Sequence, residues 1–180
     1  MILAGDAAMM ARLDLDQLDI PVNPAVQVER VDGTDETLLD AMDHITQVCF
    51  NWTDEQVAEH RPGMIERLRD PKFREKEALF VAWLDGQAVA YGRLLLEGGV
   101  AYLGGSGVLP EYRGRKVYST LLRRRLEEAR ARGYHLAAIH AEPLSRPIVA
   151  KYGFKEYSRI YIYGWMPVID VDVIKSLVPQ

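Results

Sequence analysis

The chain has 180 residues, of which 48% are apolar and 27% charged, and its formal net charge is −4. This composition suits one globular domain with a full core, and the negative balance argues against a protein that coats nucleic acid or an anionic membrane. The single cysteine, Cys49, excludes an intramolecular disulfide, and the four histidines lack metal-ligand spacing, so no metal site is predicted. No apolar run reaches the ~20 residues that a membrane span needs. The N-terminus lacks the basic start of a signal peptide, and we expect a cytoplasmic location.

Residues 1–24 are rich in Ala, Met, Asp and Leu and end near two prolines, Pro21 and Pro24. We interpret them as an N-terminal arm, either a short helix or a loose segment, that precedes a domain of residues 25–180. Apolar and polar residues then alternate over residues 25–31, which predicts a first strand.

Two helical segments follow this strand. Turn and N-cap residues at 32–36 precede apolar residues at helical spacing up to Cys49. A second helix is predicted from Thr53 to Leu68, since Thr53 and the polar residues to Gln56 resemble a capping box. Pro62 and Gly63 are expected to break this second helix in two.

A three-strand meander is predicted next, over residues 78–84, 87–96 and 100–109. Asp85-Gly86 is a strong hairpin signal, and Gly98-Gly99 makes a second turn. The third strand contains three unusual glycines, which indicate either close approach of a ligand or tight packing against a helix: Gly104, Gly105 and Gly107.

The remaining pattern is a helix at 115–132 ended by Gly133, a strand at 135–141, a short helix at 145–152 and a strand at 157–165. The tail to residue 180 could add one more element. Hairpins followed by a strand–helix–strand crossover predict an α/β fold, with a mixed, mostly antiparallel sheet and helices on both faces.

The segment at 107–122 carries the clearest chemistry. A strand ends at Val108-Leu109-Pro110, and a basic, glycine-containing loop opens directly into a helix. The first amides of a helix lack internal partners and its dipole favours negative charge, so this arrangement suits an anion. Gly114 allows close backbone approach, and the cations Arg113, Arg115 and Lys116 add charge-assisted hydrogen bonds.

This segment resembles the acetyl-CoA-binding motif of the GNAT superfamily of N-acetyltransferases, (Q/R)xxGx(G/A) after a strand that ends V-x-P. The six motif positions fall on residues 113–118, and the family's later Gly-Phe matches Gly153-Phe154. The resemblance covers roughly residues 26–165 and implies the GNAT fold. Lys116 and Tyr118 depart from the family's small residues; we interpret both as helical positions, where neither backbone is forced into an unfavourable region.

The resemblance implies that acetyl-CoA is the co-substrate, with its pantetheine arm paired to the backbone of Val108 and Leu109. We expect the cofactor to be bound by these two residues, the loop and the following helix start: Val108, Leu109, Arg113, Gly114, Arg115, Lys116, Val117 and Tyr118. Ser145 could also touch the cofactor, although capping of its helix is the preferred interpretation. The implied reaction is direct attack of an amine on the thioester.

The usual catalytic groups are missing from this sequence. Many family members carry a tyrosine where this chain has Val149. The candidates for proton transfer are His140, Glu97 and Tyr102, with Glu142 as a further carboxylate. His140 is expected where the two strands at the cofactor open, although an ordinary hydrogen-bonded strand histidine is the preferred interpretation.

The acceptor is predicted to be a primary amine of a small molecule or peptide, bound near residues 36–70, where Trp52, Glu59 and His60 could line a pocket. The basic run at 123–125 allows a nucleic-acid interpretation. Pairing of Arg123 and Arg124 with Glu127 and Glu128 favours a solvated face instead, so neither nucleic acid nor membrane is predicted as a partner. A non-catalytic acyl-CoA-binding domain is the alternative function. The aromatics of the last strand could pair across a homodimer.

Overall fold

The computed structural model describes residues 2–164, which form seven strands and five helices. In chain order these are β1 (Ile2–Arg12), β2 (Gln27–Val31), α1 (Glu36–Phe50), α2 (Asp54–Arg69), α3 (Pro71–Lys76), β3 (Glu77–Leu84), β4 (Gln87–Glu97), β5 (Val100–Val108), α4 (Val117–Ala131), β6 (Leu136–Ala141), α5 (Arg146–Lys151) and β7 (Lys155–Gly164).

The strands form one sheet in the order β2-β3-β4-β5-β6-β1-β7. All neighbours are antiparallel except β5 and β6, which are parallel. Alternate residues of β3 face two cores: Phe80 packs with the apolar side of α4, whereas Leu79 and Val81 pack with α1 and α2. The predicted mixed, mostly antiparallel sheet with helices on both faces is therefore confirmed.

The N-terminal segment differs from the prediction. Residues 2–12 are neither a helix nor a loose arm but the strand β1, which lies between β6 and β7 and pairs with both. Ala8 and Met10 are buried in the α4-side core. Alanine and methionine favour helices in isolation, but hydrogen bonding on both edges of the strand overrides that preference. The domain boundary at residue 24 stays a prediction.

The second helix also differs in one respect. The capping box of Thr53 with Gln56 is confirmed, but α2 continues through Pro62 without a break. Pro62 and Gly63 are exposed, so water can satisfy the carbonyl that proline leaves without a donor. Burial of Met64 and Leu68 holds the remaining turns against α1 and the sheet.

The meander matches its prediction. Asp85 and Gly86 both have positive φ, as do Gly98 and Gly99, which is the signature of type I′ hairpin turns. The short helix α3 was not predicted. Trp165 and the tail to residue 180 lie outside the described residues. In residues 2–164, every helix is too short or too polar to span a lipid bilayer.

Candidate active site

A gap opens between β5 and β6. The two strands pair only where Val100, Ala101 and Tyr102 face residues 136–138, whereas β5 stays paired with β4 as far as Val108. The backbone of β5 beyond Tyr102 therefore faces β6 without a strand partner. Such backbone groups need another hydrogen-bonding partner, which a ligand with amide groups could supply.

The amides at the end of β5 point in different directions. The Leu109 amide donates to the Val89 carbonyl of β4 at 2.9 Å. Because backbone groups alternate along a strand, those of Val108 point toward the gap. The Val108 carbonyl accepts a bond from Arg113 Nε at 3.2 Å. Of the two residues predicted to meet a pantetheine arm, Val108 is thus the better placed.

A β-bulge lies in the wall of this gap. Tyr91 pairs with Gly107 and Arg93 with Gly104, so Gly92 alone faces Gly105 and Ser106. At Gly107, an added Cβ would lie 2.6 Å from Cys49 Cβ on α1. Close packing against a helix therefore explains Gly107, which agrees with one of the two interpretations offered from the sequence.

The loop after β5 leads into α4 through a left-handed residue. Residues 110–112 form a single 3₁₀ turn, and Gly114 has a φ of +75°. Lys116 is the N-cap residue of α4 with a φ of +60°, so the prediction that it is helical and unstrained is wrong. Its side chain offers no acceptor for the first amides of α4. The amides of residues 117–119 accordingly remain available to an anion.

The cations of this loop are held by different partners. Arg115 contacts Asp85 of the β3–β4 turn at 2.7 Å and lies over the Tyr112 ring. Lys116 and Arg113 are exposed. Asn23 fixes the loop from outside, since its Nδ2 donates to the Arg115 carbonyl at 3.0 Å. The result is an exposed basic rim around the start of α4.

The basic run on α4 divides into two parts. The predicted pairs are confirmed, with Arg123–Glu127 at 2.8 Å and Arg124–Glu128 at 3.0 Å. Arg125, however, is 0% exposed and lies under the bulge, so the prediction of a solvated face fails for this residue. Its Nη1 donates to Ser106 Oγ at 2.6 Å and to the Arg93 carbonyl at 3.2 Å.

Tyr118 and Ser145, two of the predicted cofactor contacts, have different surroundings. The Tyr118 ring packs against the α4-side core, and its buried hydroxyl lies beside Arg125 without hydrogen-bond geometry to it. Burial raises the pKa of Tyr118, an effect that Arg125 opposes. Ser145 occupies the N-cap position of α5, but its hydroxyl donates to the Glu142 carbonyl. The predicted side-chain cap is therefore wrong.

Two of the candidate catalytic residues meet. Tyr102 Oη lies 3.1 Å from His140 Nδ1, and their rings contact edge to face at 5.2 Å. His140 is two residues beyond Ala138, the last residue of β6 that pairs with β5, so it stands where the gap opens. Burial raises the pKa of Tyr102, and the nearby Arg93 opposes this effect.

The carboxylates do not join this pair. Glu97 lies at the β4–β5 turn, is about two thirds exposed, and contacts Lys76 at 3.6 Å. Glu142 is exposed after the end of β6. Val149, at the position of the family's tyrosine, is fully buried.

The structure brings the proposed acceptor residues together. Trp52 and His60 contact edge to face at 5.1 Å. With Glu59 they line an open depression of about 680 Å³ on α2.

The sequence interpretation missed Ser106, Arg125, Asp85 and Asn23. Only Arg125 had a signal, because it continues the apolar stripe of Leu121, Leu122 and Ala129 at helical spacing. The others reach the site through contacts across the sheet or from distant loops.

The sequence profile described as the acetyltransferase (GNAT) family matches residues 39–154. No curated protein sequence matches the chain. Several solved structures share its fold. A GCN5-related N-acetyltransferase from Kribbella flavida is 16% identical, with a TM-score of 0.64 over 89% of this chain and 58% of its own. The chain thus spans less than two thirds of that protein.

Two other solved structures match most of their own length. The aminoglycoside antibiotic 6′-N-acetyltransferase AAC(6′)-Ih from Acinetobacter baumannii is 19% identical, with a TM-score of 0.60 over 79% of this chain and 99% of its own. The PaiA N-acetyltransferase from Thermoplasma acidophilum, solved in complex with coenzyme A, is 15% identical, with a TM-score of 0.57 over 72% and 89%. At these identities the likeness concerns the fold alone.

Proposed function

Because this chain belongs to the acetyltransferase (GNAT) family, we propose that it transfers an acetyl group from acetyl-CoA to a primary amine of a small molecule or peptide. The observation that carries the proposal is that the start of α4 and the gap beside β5 lie next to each other. The amides at the start of α4, which lack hydrogen-bond partners among the described residues, follow the short loop after β5. The second half of β5, beyond Tyr102, faces the gap. A diphosphate and an amide-containing arm would occupy these two features together.

The donor would bind by hydrogen bonds rather than by an apolar pocket. The amides of residues 117–119 hold the diphosphate, and Arg113, Arg115 and Lys116 supply positive charge. The pantetheine arm extends along β5 and pairs with Val108. Coenzyme A in the Thermoplasma structure and the amine substrate class of the Acinetobacter enzyme support this combination of donor and acceptor.

The reaction would proceed by direct attack in a ternary complex. The amine nitrogen forms a bond to the thioester carbonyl carbon, and the C–S bond breaks to release the CoA thiolate. The amine proton passes to Nε2 of His140, directly or through one water, in the tautomer whose Nδ1–H donates to Tyr102. The Tyr102 hydroxyl then supplies a proton toward the thiolate.

Binding of the donor is tested by calorimetry with acetyl-CoA. We expect micromolar binding by the unmodified protein and at least a tenfold loss in Arg113→Glu and Lys116→Glu, because each places an anion beside the diphosphate. Lys72→Glu, which makes the same charge change on the exposed surface of α3, is the matched control. Absence of CoA binding by the folded protein would refute the proposal.

The alternative is a domain that binds acyl-CoA without catalysis. The observation that favours it is Val149, a fully buried apolar residue where the family's tyrosine would stand. Release of CoA thiol in the presence of a panel of primary amines separates the two functions. Tight CoA binding with no amine-dependent release would support the alternative.

The exposed side of β7 supports a second proposal about partners. Tyr157, Tyr161 and Tyr163 are each more than half exposed, and β7 is the last strand of the described sheet. A second copy pairing along this strand would cover them. Sedimentation of the protein and of Tyr161→Arg tests this homodimer.

A further inference from the structure

Arg125 is a buried cation without a matching anion. Its side chain is 0% exposed, and within residues 2–164 no carboxylate lies within salt-bridge distance of it. Nη1 is used by Ser106 and the Arg93 carbonyl, whereas Nε and Nη2 have no hydrogen-bond partner among the described residues. Burying such a charge is unfavourable, because the ion loses its hydration and no opposite charge compensates for that loss.

The neighbours of Arg125 do not neutralise it. The titratable groups that face it are Tyr118 on its own helix and Tyr91 on β4. Burial raises the pKa of Tyr118 and raises that of Tyr91 to about 12, so both hydroxyls are uncharged near neutral pH. Guanidinium groups keep their proton even when burial lowers their pKa. Arg125 therefore stays a net positive charge inside the protein.

This charge is fixed beneath β4 and the bulge of β5, the strand that borders the gap. Gly92 has no side chain, and a Cβ there would lie 3.2 Å from Arg125 Cζ, so the guanidinium packs closely against the sheet at this glycine. Its bond to Ser106 places it at the bulge in the gap wall. From Val108 to Tyr102 the strand extends roughly 20 Å at ~3.3 Å per residue. An extended pantetheine arm has a comparable reach, which brings its sulfur to the stretch between Ser106 and Tyr102.

We propose that Arg125 stabilises the CoA thiolate through its uncompensated positive charge, which the fold holds beneath the β5 bulge at the site of thioester cleavage. The inference rests on the proposed function, because it needs coenzyme A in the gap. When the C–S bond breaks, its electron pair stays on sulfur, and a nearby cation in a low-dielectric interior lowers the free energy of that anion. Arg125 makes no contact with the substrate and acts through its field.

The prediction concerns the thiol of bound CoA and needs no acceptor amine. The thiol of CoA in complex with the protein is titrated by the ultraviolet absorbance of its thiolate and compared with free CoA. We expect the bound thiol to titrate below the free thiol, and its midpoint to be about one pH unit higher in Arg125→Met than in the unmodified protein. Arg125→Gln serves as a second uncharged variant. His140 and Tyr102 line the same gap, so each titration is repeated in a His140→Gln background.

Ser106→Ala is the matched control, because it removes the contact to the bulge but keeps the charge. Its bound thiol should titrate as in the unmodified protein, whereas a purely structural role of Arg125 would make Ser106→Ala resemble Arg125→Met. A bound thiol that titrates at or above the free value in the unmodified protein overturns the inference, even if no uncharged variant folds. The inference is also overturned if a folded, CoA-binding variant with an uncharged residue at 125 has the same thiol titration midpoint as the unmodified protein. CoA binding with an unshifted thiol leaves the proposed function intact, whereas a complete lack of CoA binding removes both.

Discussion

Within residues 2–164, the Tyr102 hydroxyl and the His140 imidazole are the one pair of candidate proton-transfer groups in contact. Under the proposed mechanism His140 is the base, so kcat of His140→Gln should fall by about 100-fold, while the KM for acetyl-CoA changes little. Tyr102→Phe keeps the ring contact and removes only the hydroxyl, so a smaller loss is expected. Steady-state kinetics with an accepted amine measure both. Unchanged kcat in His140→Gln would assign the base elsewhere.

Lys116 adopts a backbone conformation that suits glycine. A left-handed residue with a Cβ costs about 1–2 kcal/mol. Replacement by glycine removes this cost, but the greater conformational freedom of glycine in the unfolded chain offsets part of the gain. Lys116→Gly should therefore raise the free energy of unfolding by roughly 0.5 kcal/mol. Lys116→Ala is the control, since it removes the charge but keeps the strain. A thermal melt in which alanine stabilises as much as glycine would contradict the strain argument.

At the scale of elements, α1 approaches β5 closely at Gly107. A Cβ there would meet Cys49 Cβ at 2.6 Å and Sγ at 2.8 Å, so Gly107→Ala should push the helix from the sheet and lower the free energy of unfolding by about 1–3 kcal/mol. Gly63→Ala is the matched control, because a Cβ there meets nothing within 4 Å. In the interior of α2 it should stabilise by about 0.5–1 kcal/mol. Chemical denaturation measures both, and equal effects would refute the packing explanation.

Glu128 joins α4 to its neighbours. Its carboxylate contacts Arg132 at 2.6 Å, Arg124 at 3.0 Å and Arg30 of β2 at 3.6 Å. Burial raises the pKa of Glu128, but hydrogen bonds from Arg132 and Arg124 outweigh burial and lower the pKa overall. A lowered carboxyl pKa stabilises the fold above the unfolded value of about 4.3, and this stabilisation is lost as pH falls through the folded pKa.

Glu128→Gln should therefore lower the free energy of unfolding by about 1–2 kcal/mol at pH 7. The difference from the unmodified protein should shrink as pH falls below about 4. Glu127→Gln, which breaks only the half-exposed pair with Arg123, should cost about 0.3 kcal/mol. Denaturation curves from pH 7 to pH 3 provide the measurement. A Glu128→Gln deficit that is constant with pH would contradict the linkage.

At the scale of the whole molecule, the N-terminal strand holds the sheet together. β7 reaches the rest of the sheet only through β1 in the observed order, and Ala8 and Met10 belong to the α4-side core. A variant without residues 2–12 should melt at least about 10 °C lower or lose a cooperative transition, because two strand edges lose their partner. Circular dichroism on heating tests this, and a synthetic peptide of residues 2–12 should restore part of the transition. An unchanged melt would show that β1 is dispensable.

The sequence by itself determined the parts that depend on neighbouring residues. The Asp85-Gly86 turn, the Thr53 capping box and the loop that opens directly into α4 each need only a few consecutive side chains and the backbone conformations that they permit. The order of such elements was enough to predict a mixed sheet. The resemblance to the GNAT family, rather than the order of elements, placed His140 where β5 and β6 diverge.

Tertiary structure decided the rest, because the deciding contacts join residues far apart in the chain. Tyr102 and His140 are 38 residues apart, and Arg115 and Asp85 are 30 apart. β1 became a strand only because β6 and β7 supply hydrogen bonds on both of its edges. Arg125 follows two half-buried arginines in sequence, yet its place on the apolar stripe of α4 puts it fully under the sheet. Local propensity does not encode which residues lie across a sheet, and those residues determine whether a side chain is buried.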